Sequence, residues 1–319
     1  MDTARARPED LEELPLDRLR DLDLEEGSAP GQPAHVASAS GVARRGRNVY
    51  VIGDESNHLA RFDLTDATPG ALHRALSGEI PTDPEERARH KSDLEALTVL
   101  PPGHGSPYGI LFGIGSGSGD GRDRGFAWDL GPDGGLVGEP REVDLSPAYE
   151  LLREEIGSLN VEGAAVLGEE LLLFHRGNDE RTDNAIARIE LGEAIESMTG
   201  DLRIDVAELR SIRSYDLGEL DGVDLCFSDA TPLGDGRVVF TASAEDDDGN
   251  IHGSVIGLLD DEGEVTRLRR IDRKWKVEGV HATTDTGVLD LLFVCDQDEP
   301  DTPSPLLGAS MPIEPGLER

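Results

Sequence analysis

The chain has 319 residues, enough for two ordinary domains or one large all-β domain. Its formal net charge is -36, from 66 Asp and Glu against 30 Lys and Arg. That balance excludes DNA, RNA and anionic membranes as partners, because phosphate binding needs clustered cations.

The N-terminus, "MDTARARPEDLEELPLDRLRDLDLEE", lacks an apolar h-region, so no secretory signal is expected. No run approaches the roughly 20 apolar residues of a membrane span. A soluble cytoplasmic protein is the expectation. Residues 1–17 are expected to form a flexible tail. The next stretch, "RLRDLDLEE" at 18–26, reads as a strand without a neighbour of its own.

Four short apolar runs follow: "SASGVAR" at 38–44, "NVYVIGD", "HLARFDL" and "ALHRAL". Their β-branched content and length predict strands. After a helical insert in "DPEERARHKSDLEAL", the order recurs as "SDLEALTV" at 92–99, "GILFGIG", "GFAWDL" and "PREVDL". A second insert, "SPAYELLREEIG", opens with Ser-Pro, which fits an N-cap and N1 pair. A third module holds "NVEGAAVL" at 160–167, "ELLLFHR", "NAIARIEL" and "SIRSYDL", with "LGEAIESMTG" as a helical insert inside it. The fourth reads "FSDATPL" at 227–233, "RVVFTAS", "GSVIGLLD" and "VTRLRRID". The fifth has "KVEGVHA" at 276–282, "LLFVCDQ" and a weak "PLLGASM", then stops short of a fourth run.

Four short strands per unit, repeated, are the signature of a β-propeller. Residues 18–26 supply the missing strand of the fifth unit, which closes the ring and removes exposed sheet edges. The expectation is all-β: a five-bladed propeller over residues 18–311, with short helical inserts on one face and a tail at 312–319. Six blades are the alternative, if the long segments before Glu95 or Glu162 hide another unit.

The modules align at Ser40, Glu95, Glu162, Asp229 and Glu278, each followed by a small residue: Gly41, Ala96, Gly163, Ala230 and Gly279. Strand entries next to a propeller's axis converge on one channel mouth, where like charges repel and raise each other's pKa. Two roles are open. Each acid can latch a neighbouring blade by accepting a backbone N–H. Alternatively Glu95, Glu162, Asp229 and Glu278 form a metal site, and calcium suits them, since it takes roughly 6 to 8 oxygen ligands.

The loops after the second strands add Arg124, His175, Arg176, Asn178 and Glu245 as candidate ligand-binding residues. Arg176 and His175 suit an anionic group, or else pair with the acids nearby. Other motifs fail. "GSGSGDG" at 115–121 lacks the Gly-Lys-Ser/Thr of a P-loop, and "AEDDDGNIHGSV" puts Ala244 and Val255 where an EF-hand needs ligands. Cys226 and Cys295 lie in no CxxC pair and are expected to be buried as small apolar residues. Lysine occurs only at Lys91, Lys274 and Lys276, which suits either a high-GC genome or adaptation to high salt.

The stretches "SDLEALTVL", "LFGIGSGS", "LNVEGAAVLGEELLLFHRGN", "CFSDATPLGDGRVVFTASAED" and "GSVIGLLD" closely resemble an uncharacterised bacterial family of small β-propellers, a domain of unknown function, over most of residues 38–299. More distantly, "VEG" and "LEA" before a strand are similar to the acidic-Gly signature of phytase-like and esterase-like propellers. That resemblance implies calcium and phosphoester or ester hydrolysis, carried to Glu95, Glu162 and Glu278. The expected function is therefore small-ligand or divalent-cation binding at an acidic channel mouth. A calcium-dependent hydrolase of a phosphoester, ester or lactone and a protein-interaction scaffold are the alternatives.

Overall fold

The computed structural model describes residues 3–8, 13–29, 32–81, 83–103, 105–177, 183–205, 209–246, 248–297 and 299–313. The chain opens with β1 (Thr3–Arg5) and β2 (Asp17–Asp21). Blade one follows as β3 (Ala39–Arg45), β4 (Asn48–Gly53), β5 (His58–Asp63) and β6 (Ala71–Arg74). Helix α1 (Pro84–His90) leads to blade two, made of β7 (Leu94–Leu100), β8 (Ile110–Gly115), β9 (Arg124–Leu130) and β10 (Leu136–Asp144). Helix α2 (Ser146–Ile156) precedes blade three. This blade comprises β11 (Val161–Leu167), β12 (Glu170–His175), β13 (Asn184–Glu190), then α3 (Leu191–Thr199) and β14 (Leu209–Asp216). Blade four is β15 (Glu219–Leu220), β16 (Val223–Pro232), β17 (Val238–Glu245), β18 (Ile251–Leu259) and β19 (Val265–Arg270). Blade five is β20 (Val277–Asp285), β21 (Val288–Cys295) and β22 (Pro305–Pro312).

These strands form five sheets arranged as a five-bladed β-propeller. Each blade is an antiparallel meander, and β3, β7, β11, β16 and β20 lie nearest the axis; the two-residue β15 only flanks the start of β16. Both faces of a blade are covered by its neighbours, so its inner strands are buried along most of their length. In β8, "ILFGIG", every residue is buried. Five apolar clusters fill the wedges between adjacent blades. The wedge between blades three and four concentrates the scarce aromatics. There Phe227 meets Phe174, Tyr215 and Phe240 edge-on, at centroid distances of 5.1, 5.7 and 5.2 Å.

Ring closure follows the expected route. β2 pairs antiparallel with β22 and completes blade five, over Asp17–Asp21 rather than 18–26. The expectation of a flexible tail at 1–17 is corrected. β1 pairs in parallel with β14 on the outer edge of blade three, and Leu14 bridges Ile271 beside blade four. Further on, Leu24 bridges Gly70 at the edge of blade one. Residues 3–8 and 13–25 therefore run as a belt along the outer edges of blades three, four, five and one. Blade two is covered separately, where Asp144 exchanges backbone bonds with Leu202 and Ile204.

The helical inserts do not share one face. α1 and α2 lie at the end where the channel acids gather: Lys91, just past α1, reaches Asp54 and Asp93, and Arg153 of α2 donates to the Gly117 carbonyl. α3 leaves from the opposite end, where Leu191 N–H bonds the Glu169 carbonyl. It then fills the wedge between blades two and three with Leu191, Ala194, Ile195 and Met198. Of the expected C-terminal tail, Pro312 and Ile313 are described, and Ile313 N–H bonds the Gly287 carbonyl. Among the described residues, no helix is long and apolar enough to cross a membrane.

Candidate functional site at the acidic channel mouth

Every innermost strand carries a β-bulge near its start. The register skips one residue between Ala39 and Gly41, Leu94 and Ala96, Val161 and Gly163, Phe227 and Asp229, and Val277 and Gly279. The residues left unpaired are Ser40, Glu95, Glu162, Ser228 and Glu278. A bulge breaks the in-out alternation of a strand and re-aims one side chain. Here five bulges put one side chain per blade at the channel mouth. In four of the blades the small residue after it, Gly41, Ala96, Gly163 or Gly279, lets adjacent blades close up. A Cβ on Gly163 would fall 2.9 Å from Asp229 Cα, and one on Gly279 would fall 2.9 Å from the Ser40 carbonyl oxygen.

Blade four departs from the sequence alignment. Its bulge residue is Ser228, so Asp229 stands one place further along and does not join the ring. Asp229 is fully buried, and its Oδ2 accepts the Val280 N–H of blade five at 2.8 Å while Oδ1 accepts the Ala230 N–H. It is a latch between blades. Ser40 latches in the other sense, donating to the Leu94 carbonyl of blade two at 2.6 Å. Replacing Asp229 by Ala strands a buried N–H, so unfolding should become easier by about 1–3 kcal/mol. D229N, which keeps an acceptor, should lose less. A calcium-dependent stability loss in D229A, measured by denaturant titration, would show instead that Asp229 reaches an ion.

The three glutamates of the ring keep their carboxyls in the channel. Burial pushes Glu95 well above the ordinary carboxylate range, and Glu162, Asp54 and Asp93 add to it. Burial, with Glu278 and against Arg176, pushes Glu162 up to about 8. Glu278 is raised by burial against the pull of Lys276 and Arg176. Among the described residues no hydrogen bond or ion pair reaches the Glu95 carboxylate. Asn160 donates to Glu162 Oε1 at 2.6 Å.

Each glutamate has a cation beside it, itself held by other acids. Lys91 bridges Asp54 and Asp93; burial opposes its charge, yet those two carboxylates raise its pKa. Arg176 lies 2.7 Å from Glu245 and 4.0 Å from Glu162. Lys276 lies 3.4 Å from Glu278 and 3.9 Å from Asp296. Asp93 adopts a left-handed backbone, φ 54°, uncommon outside glycine but more open to Asp than to most side chains. Its carboxylate collects Lys91, Arg122, Ser116 and Ser118. Asp54, Asp93 and Glu95 each bring an oxygen within 4.8 Å of the others, and Asp54 Oδ1 is buried with no hydrogen-bond partner.

The candidate ligand residues divide. Arg176 and Glu245 come to the mouth, paired with each other. Arg124 does not join them: it binds Ser92 Oγ at 2.6 Å and the Ser77 carbonyl, tying blade two to blade one. His175 is 1% exposed, its Nδ1 accepts the Asn160 N–H, and burial pushes its pKa down to about 4. A neutral, buried imidazole is no anchor for an anion. Asn178 lies outside the described residues. Both cysteines are free; burial raises their thiols, Cys226 to about 11.

A model of a family of unknown function, DUF6929, matches residues 35–311. The chain belongs to this family. The DUF6929 match covers the five blades from β3 to β22 and leaves the N-terminal belt outside it. No curated protein matches the chain. Among solved structures, the alpha-L-arabinofuranosidase PaAbf62A from Podospora anserina is similar at 10% identity over 94% of this chain and 98% of its own, with a TM-score of 0.50. The endo-arabinase from Bacteroides thetaiotaomicron VPI-5482 is similar at 11% identity over 89% and 97%, with a TM-score of 0.48. Glutaminyl cyclase from Myxococcus xanthus is similar at 12% over 97% and 100%, with a TM-score of 0.45. At these identities the likeness is one of fold.

Proposed function

We propose that the channel mouth of this DUF6929 member binds a divalent cation, calcium by the chemistry of its donors. The observation that carries this reading is the state of Glu95. Its carboxyl is turned to the channel with no donor of its own, and oxygens of Asp54 and Asp93 lie within 4.8 Å of it. Hard carboxylate oxygens in that number suit calcium, which water and further carboxylates would complete. Glu162 and Glu278 would share the ion's field from the other side of the channel. Lys91, Arg176 and Lys276 are already shared with Asp54, Asp93, Glu245 and Asp296, so the buried carboxylates keep excess negative charge, which a divalent ion offsets where a proton otherwise must.

Calorimetric titration of calcium chloride into the wild type and Glu95→Gln tests the reading. Saturable binding in the wild type, weakened about tenfold or more in E95Q, is expected, a difference of about 1.4 kcal/mol. No heat at millimolar calcium would overturn it.

A second reading, a hydrolase of a phosphoester, ester or lactone, draws on Glu162. A carboxyl held protonated near neutral pH would serve as a general acid. A bound calcium ion would polarise the substrate oxygen. Calcium-stimulated turnover in an ester and phosphoester panel, lost in Glu162→Gln, is the result that reading requires.

A further inference from the structure

A cleft lies away from the channel mouth, where the belt leaves blade five and the chain enters blade one. Its larger lobe encloses about 240 Å³ between residues 24–28 and 32–38 on one side and the face of blade one on the other. Val51, Ala60, Leu24, Val36 and Leu72 give it an apolar side, and Ser28, Gln32, His35 and Ser38 add a polar one. A smaller lobe of about 60 Å³ opens beside it. Ser56 and His58 line both lobes, and the smaller one ends at Arg74 and Glu79. His58 and Arg74 are direct cross-strand partners on β5 and β6.

The two lobes differ in chemistry. A cavity of roughly 150 Å³ admits benzene in another protein, so at about 240 Å³ the larger lobe has room for a six-membered ring against its apolar side. The smaller lobe offers a guanidinium and an imidazole side by side. Arg74 donates to the Gly78 carbonyl at 2.9 Å and pairs with Glu79, 2.9 Å away, whose side chain is 86% exposed. Exposed ion pairs of this kind contribute little. A ligand carboxylate can replace Glu79 at small cost, meeting the exposed Arg74 guanidinium on one side and the half-buried His58 imidazole on the other. Arg87, by contrast, is firmly engaged by Glu55 at 2.8 Å, both at the rim of the cleft. It closes the wall and does not compete.

We propose that this cleft is a second site, binding a small monocarboxylate with an aromatic or branched apolar body, ring in the larger lobe and carboxylate on Arg74 and His58. An anion there also faces Glu55, Glu79 and Asp301, which selects against dianions and phosphates.

Benzoate and benzyl alcohol are the probes, added to the full chain at pH 7 and followed by NMR. Benzoate should bind saturably and raise the titration midpoint of the His58 imidazole, because a carboxylate beside it favours its protonated form. Arg74→Ala should weaken benzoate about tenfold and leave benzyl alcohol unchanged. Leu72→Trp, which fills the larger lobe, should remove binding of both probes. The His58 readout in the wild type stands even if that variant fails to fold. Glu95→Gln should leave benzoate binding intact, which separates this cleft from the channel mouth. No saturable benzoate binding at millimolar concentration, or binding equal in R74A with an unmoved His58 midpoint, would overturn the proposal.

Discussion

Removal of residues 1–27 is expected to abolish the cooperative unfolding transition at room temperature. The belt buries Leu14, Leu16, Leu22 and Leu24. At about 1.5–3 kcal/mol for each fully buried leucine, their loss approaches the roughly 5–15 kcal/mol by which a whole domain is stable. Backbone bonds go too: Leu14 with Arg270, Leu22 with Ser304, and both Asp23 and Glu25 with Gly70. The deletion opens the edge of β22 and uncovers parts of three other blades. A shorter truncation, residues 1–8, removes only β1, buried Ala4 and the exposed Arg7–Asp216 pair. It should cost no more than about 1–2 kcal/mol. Melting both variants by circular dichroism checks this. An unchanged melting temperature in the longer deletion would show that the ring closes without its belt.

The second large effect is on pH dependence. Glu162 is raised to about 8 from an ordinary 4.5, so between those values the native state holds a proton that the unfolded state has released. Stability from this group is full below the unfolded pKa and is lost as pH rises through the folded one. His175 and His281, pushed down to about 4 by burial, pull the other way, but only below their ordinary 6.5. The clean window is therefore pH 6.5 to 8. In calcium-free buffer stability should fall there by about 2 kcal/mol from Glu162 alone, at 1.36 kcal/mol per unit. Glu95 and Glu278 act in the same direction. Glu162→Gln should flatten the slope and exceed the wild type in stability at pH 8. Saturating calcium should also flatten it, because the ion takes the place of the protons. Denaturant titrations with and without a chelator measure all three. Stability that is level or rises from pH 6.5 to 8 without calcium would refute the mutual raising of the ring carboxyls.

The repeat was legible because each module announces itself twice, with β-rich runs of similar length and Gly- or Pro-rich turns between them. The closing strand was legible by subtraction, since the fifth module lacks an outer strand. β1 was not: "TAR" has no alternation of its own, and its parallel pairing with Ser214–Asp216 is purely tertiary. Nor was the true ring position in blade four. "FSDAT" offers Ser228 and Asp229 side by side, and only the ladder shows which residue the bulge expels. Arg124 looked like a mouth residue because it begins a strand at the right end, but that strand is two steps from the axis. The cations Lys91 and Lys276 did leave a trace. In a chain with lysine at only three positions, two stand at the channel acids.

The belt also sets a timetable for synthesis. Arg18 pairs with Leu307 and Asp21 with Pro305, so this stretch is made long before the strand it must join. Until β22 has left the ribosome, the outer edges of blades three, four and one wait for a segment that cannot yet be anchored at blade five. Contacts so distant in sequence form slowly, and open edges in the interval invite wrong partners. A formal charge of -36 makes such half-built chains repel one another. The acidity of the chain thus guards the nascent protein while its first-made segment waits for its last-made strand.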